Sequence, residues 1–361
     1  MKNKGLITFH SILGLFAGIF ILALSLSGAV LVFHDDLDAF QKPEEFPTFD
    51  YQKTLTIDSC YKVVQKRFPY AAISSCNISK NDKEAFMFSI YDTTYQKGEK
   101  VLQLFLHPQT GAVLKSRGGS DDISENFMAW LASFHSSFHA GKTGEWLLGF
   151  FSIVFVLSII TGIILYRKNI IAVLLFKKTV WRKNNLHQLI GTWALLFNVM
   201  IGITGFWMQR YVFKKEFYQS NNWVSTVKAS PKPLFNFDSA YKAVQKRYPD
   251  FTAYVIYFPQ SAKGKTAIYG SNKTNAYIHS KKFADVIALD SSGAVAKTRF
   301  INEISSADRY DIINSQLHMA RYGGTGIKII YALFGLSSAL LSITGFLMWR
   351  RKRRTKKVND E

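Results

Sequence analysis

Four long apolar blocks divide the chain, running from about Leu6 to Phe33, Trp146 to Tyr166, Leu186 to Met208 and Ile327 to Trp349. Each holds roughly 20 or more mostly uncharged residues, enough to cross a hydrocarbon core about 30 Å thick. The long stretches between them, about 34–145 and 209–325, change period. Ser59 to Phe68 repeats as a helix, with Asp58 as its candidate N-cap and Pro69 just past its end. Ala85–Tyr91 and Val101–His107 alternate as strands, with a turn at Pro108–Gly111. The second stretch predicts strands at Ala253–Phe258, Thr266–Tyr269 and Phe283–Leu289. The expected fold class is membrane α-helical plus α+β, with four transmembrane helices and two small α+β domains.

The pattern occurs twice. Asp58 to Pro69 (DSCYKVVQKRFP) matches Asp238 to Pro249 (DSAYKAVQKRYP) at an offset of 180, and Thr110-Gly-Ala-Val113 echoes Ser292-Gly-Ala-Val295. His10-Ser-Ile-Leu-Gly14 corresponds to His187-Gln-Leu-Ile-Gly191, each His followed 18 residues later by a glycine, Gly28 or Gly205. Thr161-Gly162 matches Thr344-Gly345, and His135 and His318 each precede the glycine of that pair by 27 residues. The unit is helix, outer domain, helix, used twice in one orientation, which predicts a pseudo-twofold axis along the membrane normal. The organisation expected is a helix in 1–34, an outer domain over 35–140, a helix in 141–167 and a link over 168–185. A helix in 186–209, an outer domain over 210–320, a helix in 321–350 and a basic tail over 351–361 follow.

Charge sets the orientation. Lys2 and Lys4 precede the first block, and Arg167, Lys168, Lys177, Lys178, Arg182 and Lys183 fill the link between blocks two and three. Seven Lys and Arg residues between Arg350 and Lys357 follow the fourth. By the positive-inside rule these flanks and both termini are cytoplasmic and the long stretches extracytoplasmic. The net charge of +20 thus tracks topology and suits an anionic inner leaflet, and nucleic-acid binding is not expected. The first block is expected to persist as a helix, because it is long for a signal peptide and lacks a small-x-small cleavage site. Cys60 and Cys76 permit one bridge but do not demand it, and Ala240 stands at the position of Cys60 in the second half.

Eight histidines are present. A histidine in or near a span is costly unless partnered. His10 and His187 are equivalent, as are His135 and His318, and residues related by a pseudo-twofold axis face each other across it. Such pairs suit a metal or haem needing two axial imidazoles, with the two sites stacked across the bilayer. The plainer alternative is interfacial histidines bonded to head groups or carbonyls. Gly14 and Gly191 either allow close helix approach or leave room for a planar macrocycle. His139, one turn from His135, and His34, just past the first span, are weaker candidate ligands. His107 and His279 read as surface residues. No phosphate loop, dinucleotide fingerprint, HExxH or grouped Cys/His zinc set occurs.

The HxxxG-led spans, the Asp-Ser-x-Tyr-Lys-x-Val-Gln-Lys-Arg-aromatic-Pro segments and the Thr-Gly-ending helices resemble PepSY-associated transmembrane proteins. That family includes iron-regulated membrane proteins and siderophore-iron reductases, and the likeness runs from about His10 to Arg350. It implies PepSY-like outer domains and an inner-membrane, haem b-containing oxidoreductase, with two haems, that reduces ferric siderophores in the periplasm. It implies His10, His187, His135 and His318 as haem-iron ligands. The partners implied are the lipid bilayer, a ferric siderophore, and an electron donor that is either a membrane quinol or a separate cytoplasmic reductase. Two other readings stand beside it, a siderophore or iron transport component and a PepSY-type sensory or protease-regulating membrane protein.

Overall fold

The computed structural model describes residues 4–41, 55–78, 84–92, 100–177, 186–219, 235–259, 264–274 and 276–360. Lys2, Lys178, Arg182 and Lys183, used above as topological markers, lie outside them. In the first half the helices are α1 (Lys4–Leu31), α2 (His34–Asp38), α3 (Ile57–Arg67), α4 (Phe127–Ser137), α5 (Gly141–Tyr166) and α6 (Ile170–Leu174). The second half has α7 (Leu186–Trp193), α8 (Leu195–Gln209), α9 (Lys215–Gln219), α10 (Phe237–Arg247), α11 (Ser306–His318) and α12 (Gly324–Asp360). The strands are β1 (Ala72–Asn77), β2 (Phe86–Asp92), β3 (Lys100–Leu106) and β4 (Val113–Gly118). They are followed by β5 (Thr252–Tyr257), β6 (Thr266–Ser271), β7 (Asp285–Leu289) and β8 (Val295–Arg299). The chain forms two compact units, and each draws on both halves of the sequence.

Unit one comprises Met1–His34, Leu131–Tyr218 and Asn314–Glu361. Three of its helices are long and apolar enough to cross a membrane, at Lys4–Leu31, Gly141–Tyr166 and Gly324–Thr355. The fourth block, expected as one helix from Leu186 to Met208, is instead two segments, Leu186–Trp193 and Leu195–Phe213, bent by 67°. Gly191 and Thr192 lie just before the break, and the Thr192 hydroxyl donates to the Gln188 carbonyl at 2.9 Å. A glycine beside a back-bonded hydroxyl loosens the helical ladder at that point. Among the described residues the count is three spans, or four if the bent pair is one.

Polar contacts join these helices. Asn198 Oδ1 accepts from the Ser337 and Ser338 hydroxyls at 3.3 and 2.9 Å. Ser25 Oγ donates to the Gly335 carbonyl and accepts from the Ala339 N–H at 3.0 Å, so α1 inserts a hydroxyl into the ladder of α12. In an apolar surround such bonds fasten helices that gain little from hydrophobic association.

Unit two comprises Asp35–Trp130 and Gln219–Ile313. Its strands form one antiparallel sheet in the order β4-β3-β2-β1-β5-β6-β7-β8, so the stretches read as two outer domains supply four strands each to a single sheet. They join at β1 and β5, where Cys76 lies opposite Ile256. Those two are the equivalent residues of the 180-residue repeat, so the local twofold axis passes through that pair. Register irregularities recur at matching places, between Ile73 and Ser75 and between Ala253 and Val255.

Helices α3 and α10 cover one face. Ile57, Cys60, Tyr61 and Val64 recur at helical spacing and are buried, as are Phe237, Ala240 and Val244. They pack on alternate strand residues, among them Ile73, Phe88, Ile90, Leu104, Ile256, Ile268 and Ile287. Each fully buried side chain of this size contributes roughly 1.5–3 kcal/mol. Cys60 and Cys76 are free, buried members of this core. Burial pushes the Cys60 thiol up to about 12, and Cys76 is raised for the same reason.

The N-cap of α3 is Thr56, whose hydroxyl accepts from Ser59 N, and that of α10 is Asn236. Asp58, expected as a cap, does something else. Asp238 accepts from the backbone N–H groups of Ile57 and Asp58 at 3.0 and 2.9 Å, while Asp58 accepts from Asp238 N–H at 2.8 Å. The carboxylate of each helix therefore satisfies orphan donors at the start of the other.

Candidate functional site

Unit one brings the four repeated histidines together as two pairs. The rings of His10, on α1, and His187, on α7, have centroids 6.3 Å apart and planes at 77°. His135 and His318, near the C-termini of α4 and α11, have centroids 6.5 Å apart and planes at 49°.

Each ring is held in the same manner. His10 Nδ1 lies 2.8 Å from Thr161 Oγ1, and His187 Nδ1 lies 3.0 Å from Thr344 Oγ1. His135 Nδ1 is 2.8 Å from Ser27 Oγ, and His318 Nδ1 is 3.0 Å from Thr204 Oγ1. The hydroxyl proton has a place already. Thr161 donates to Leu157 O at 2.9 Å, Thr344 to Leu340 O at 2.7 Å, Ser27 to Ala23 O at 2.8 Å and Thr204 to Met200 O at 2.8 Å. With its proton committed to a carbonyl that can only accept, each hydroxyl oxygen accepts from Nδ1–H. All four imidazoles are thereby set as the Nδ1–H tautomer, and Nε2 keeps its lone pair.

A glycine follows each hydroxyl residue and makes room for the ring. A Cβ on Gly28 would lie 3.1 Å from His135 Cε1, and one on Gly205 would lie 3.1 Å from His318 Cε1. At Gly162 and Gly345 the distances to His10 and His187 Cε1 are 3.5 and 3.4 Å. The element that builds the site is therefore a Ser/Thr-Gly step, used four times. The sequence spacing connects Gly28 to His10 and Gly162 to His135, whereas in the structure Gly28 receives His135 and Gly162 receives His10. The repeated dipeptide was visible in the sequence, but its partners lie more than 100 residues away.

His10 and Ser27 stand at opposite ends of one helix, about 25 Å apart at 1.5 Å per residue. The two pairs are thus separated by most of the roughly 30 Å thickness of a hydrocarbon core. Gly14 lies one turn from His10, and an added Cβ there would meet no atom within 4 Å; at Gly191 it would meet only Leu341 Cδ2, at 3.6 Å.

The remaining histidines join neither pair. His34 begins α2. His139 is exposed, has a positive φ of 56°, and lies beside Phe134 with centroids 6.0 Å apart. His107 Nδ1 accepts from the backbone N–H groups of Gln109 and Thr110 and so orders the turn that ends at Gly111. His279 Nε2 is 3.7 Å from the fully buried Asp285.

Among the described residues no group of three or more His, Cys, Asp or Glu side chains gathers to hold a metal ion. Two imidazoles alone under-coordinate a bare transition metal, which takes four to six ligands. They do fit a metal that brings four equatorial nitrogens in a macrocycle and lacks only its axial pair. With metal–nitrogen distances of about 2 Å, two axial rings have centroids roughly 6 Å apart, as both pairs do.

The sequence model of the family described as the PepSY-associated TM region matches residues 7–352. That span includes all four histidines and all four hydroxyl partners. No curated protein matches the chain.

Proposed function

The chain belongs to the PepSY-associated TM family, and from that premise we propose that this multi-pass membrane protein is a haem b-containing electron-transfer protein. Its two sites are His10 with His187 and His135 with His318, related by a tandem duplication of helix, PepSY-like domain and helix. The substrate on this reading is a ferric siderophore in the periplasm, and the location is the inner membrane with both termini cytoplasmic. The supporting observation is the hydrogen bond from each histidine to a hydroxyl whose proton is already engaged, which leaves two bare Nε2 atoms in each pair.

When bound, haem supplies one-electron redox chemistry between the cytoplasmic and periplasmic faces. The residues supply position and environment. Thr161, Thr344, Ser27 and Thr204 fix tautomer and ring orientation, and Gly28, Gly162, Gly205 and Gly345 let the rings approach the helices. Ala17, Phe20, Phe151 and Val154, packed between the levels of the two pairs, keep water out. One electron converts chelated Fe(III) to Fe(II), which hard oxygen-donor chelators hold far less tightly, so the metal is released. The donor is a membrane quinol or a separate reductase.

A transport reading draws on the 67° break in the fourth apolar block. Asn198, one turn beyond the break, is already engaged by Ser337 and Ser338. The deciding experiment is the absorption spectrum of the detergent-purified full chain, oxidised and dithionite-reduced, with haem quantified. Sharp reduced bands and two haems per chain are expected, with His10→Ala and His135→Ala each removing about one. A haem-free protein from cells amply supplied with haem would overturn the proposal in favour of transport or regulation.

A further inference from the structure

A buried amide reinforces one of the four histidine anchors. Asn314 is 2% exposed and lies four residues before His318, on the same face of α11. Its Nδ2 donates to the backbone carbonyl of Thr204 at 3.2 Å. Thr204 is also the residue whose hydroxyl receives His318 Nδ1 at 3.0 Å. Helix α11 is thus fastened to a single residue of α8 by two bonds one turn apart.

The first half lacks the second fastening. By the offset that relates His318 to His135, Asn314 corresponds to Leu131, a hydrocarbon that can donate nothing. Ser27 stands where the second half has Thr204, and serine lacks the branch that restricts χ1. His135 is tied to α1 through the Ser27 hydroxyl and the Leu24 carbonyl, whereas α11 is tied to α8 through the Thr204 hydroxyl and the Asn314 amide.

We infer that Asn314 is a positioning residue for His318, acting through Thr204. The consequence for bound haem rests on the function proposed above, but the bond geometry does not.

The test uses the full chain and three variants, Asn314→Leu, Asn314→Gln and Leu131→Asn. Leucine is the residue that the first half already tolerates at this position, and glutamine keeps the donor. In oxidised protein, Asn314→Leu should shift the electron paramagnetic resonance signal and the midpoint potential of one haem, leaving the other unchanged, and should weaken retention of that haem about tenfold. Asn314→Gln should restore both, and Leu131→Asn, on the helix of His135, should leave the His318 Nδ1–H resonance unchanged. An unshifted signal in Asn314→Leu overturns the inference. Histidine ¹⁵N spectra provide the arm independent of haem, since the His318 Nδ1–H resonance should broaden in Asn314→Leu and recover in Asn314→Gln. Absence of haem from the wild type would sink the proposed function, while the ¹⁵N comparison would still decide the role of Asn314.

Discussion

At two places the halves of this chain bring identical polar side chains face to face, and the two encounters are resolved differently. In unit two, Asp58 meets Asp238, and each carboxyl is supplied with backbone N–H groups from the other's helix. In unit one, histidine meets histidine, yet each ring turns its N–H away to a hydroxyl on a neighbouring helix. The aspartates complete each other's bonding. The histidines are oriented by third parties and keep a lone pair in reserve. The first arrangement is self-sufficient and structural, whereas on the proposed function the second receives haem.

The largest effect expected concerns the reserve. Thr161→Val and Thr344→Val keep the shape while removing the acceptor, and outer-shell partners of this kind are worth about 10–100-fold in affinity for the metal group. On the proposed function, each variant should lose haem from the His10–His187 site, measured as the reduced-minus-oxidised band per chain, with the other site retained. Full occupancy in both would mean that the hydroxyls do not set the ligands.

Next come the aspartates, which should differ despite their symmetry. Asp58 is raised, first by burial and then by its hydrogen bond to Asp238. Burial acts on Asp238 in the same direction, but the side chain of Asp58, the N–H groups of Asp58 and Ile57, and the Thr56 side chain outweigh it and leave Asp238 lowered. The pair therefore shares a proton that resides on Asp58. The stabilisation from Asp58 is complete below the unfolded aspartate value of about 3.9 and is lost as pH rises through its raised pKa. That from Asp238 is present above about 3.9 and is lost as pH falls through its lowered pKa. Stability of unit two should peak between the two and decline on both sides. Asp58→Asn, which mimics the protonated partner, should abolish the decline on the alkaline side. Asp238→Asn should cost about 1.5–3 kcal/mol, the range for hydrogen bonds to a charged group. Denaturant unfolding of the full chain followed across pH separates these outcomes, and equal effects of the two substitutions would break the assignment.

The smallest effect separates the two histidine pairs. Gly28→Ala puts a methyl 3.1 Å from His135, so that ring must shift, whereas Gly162→Ala places one at an ordinary 3.5 Å from His10. Haem retention should fall in the first variant and hold in the second, and equal losses would show that ring clearance is not what distinguishes the pairs.

Much of this was legible in the sequence, because it rests on local periodicity. Apolar length marked the spans, and alternation marked five strands to within a residue or two at most ends. The repeat singled out the histidines that come together. What could not be read depends on contacts between segments far apart. Asp58 looked like a cap because its position beside a helix start is local, while its actual partners, in α10, are 180 residues away. The break after Trp193 arises from Gly191 and Thr192, residues that a continuous helix also tolerates. Ser27 and Thr204 looked like ordinary span residues until the rings of α4 and α11 arrived beside them.

The junction of β1 and β5 carries a consequence for anyone who cuts this molecule. The outer strands of the sheet, β4 and β8, carry Lys115, Arg117, Lys297 and Arg299, charges that discourage further strand addition. The inner strands, AISSCN and TAYVIY, carry none. Cys76 pairs with its own counterpart, so the same register would serve two copies of one half as well as the two halves of one chain. Expressed alone, either half would present an unguarded, self-complementary strand and would dimerise or aggregate through it. The covalent link between the halves keeps that adhesive edge permanently occupied.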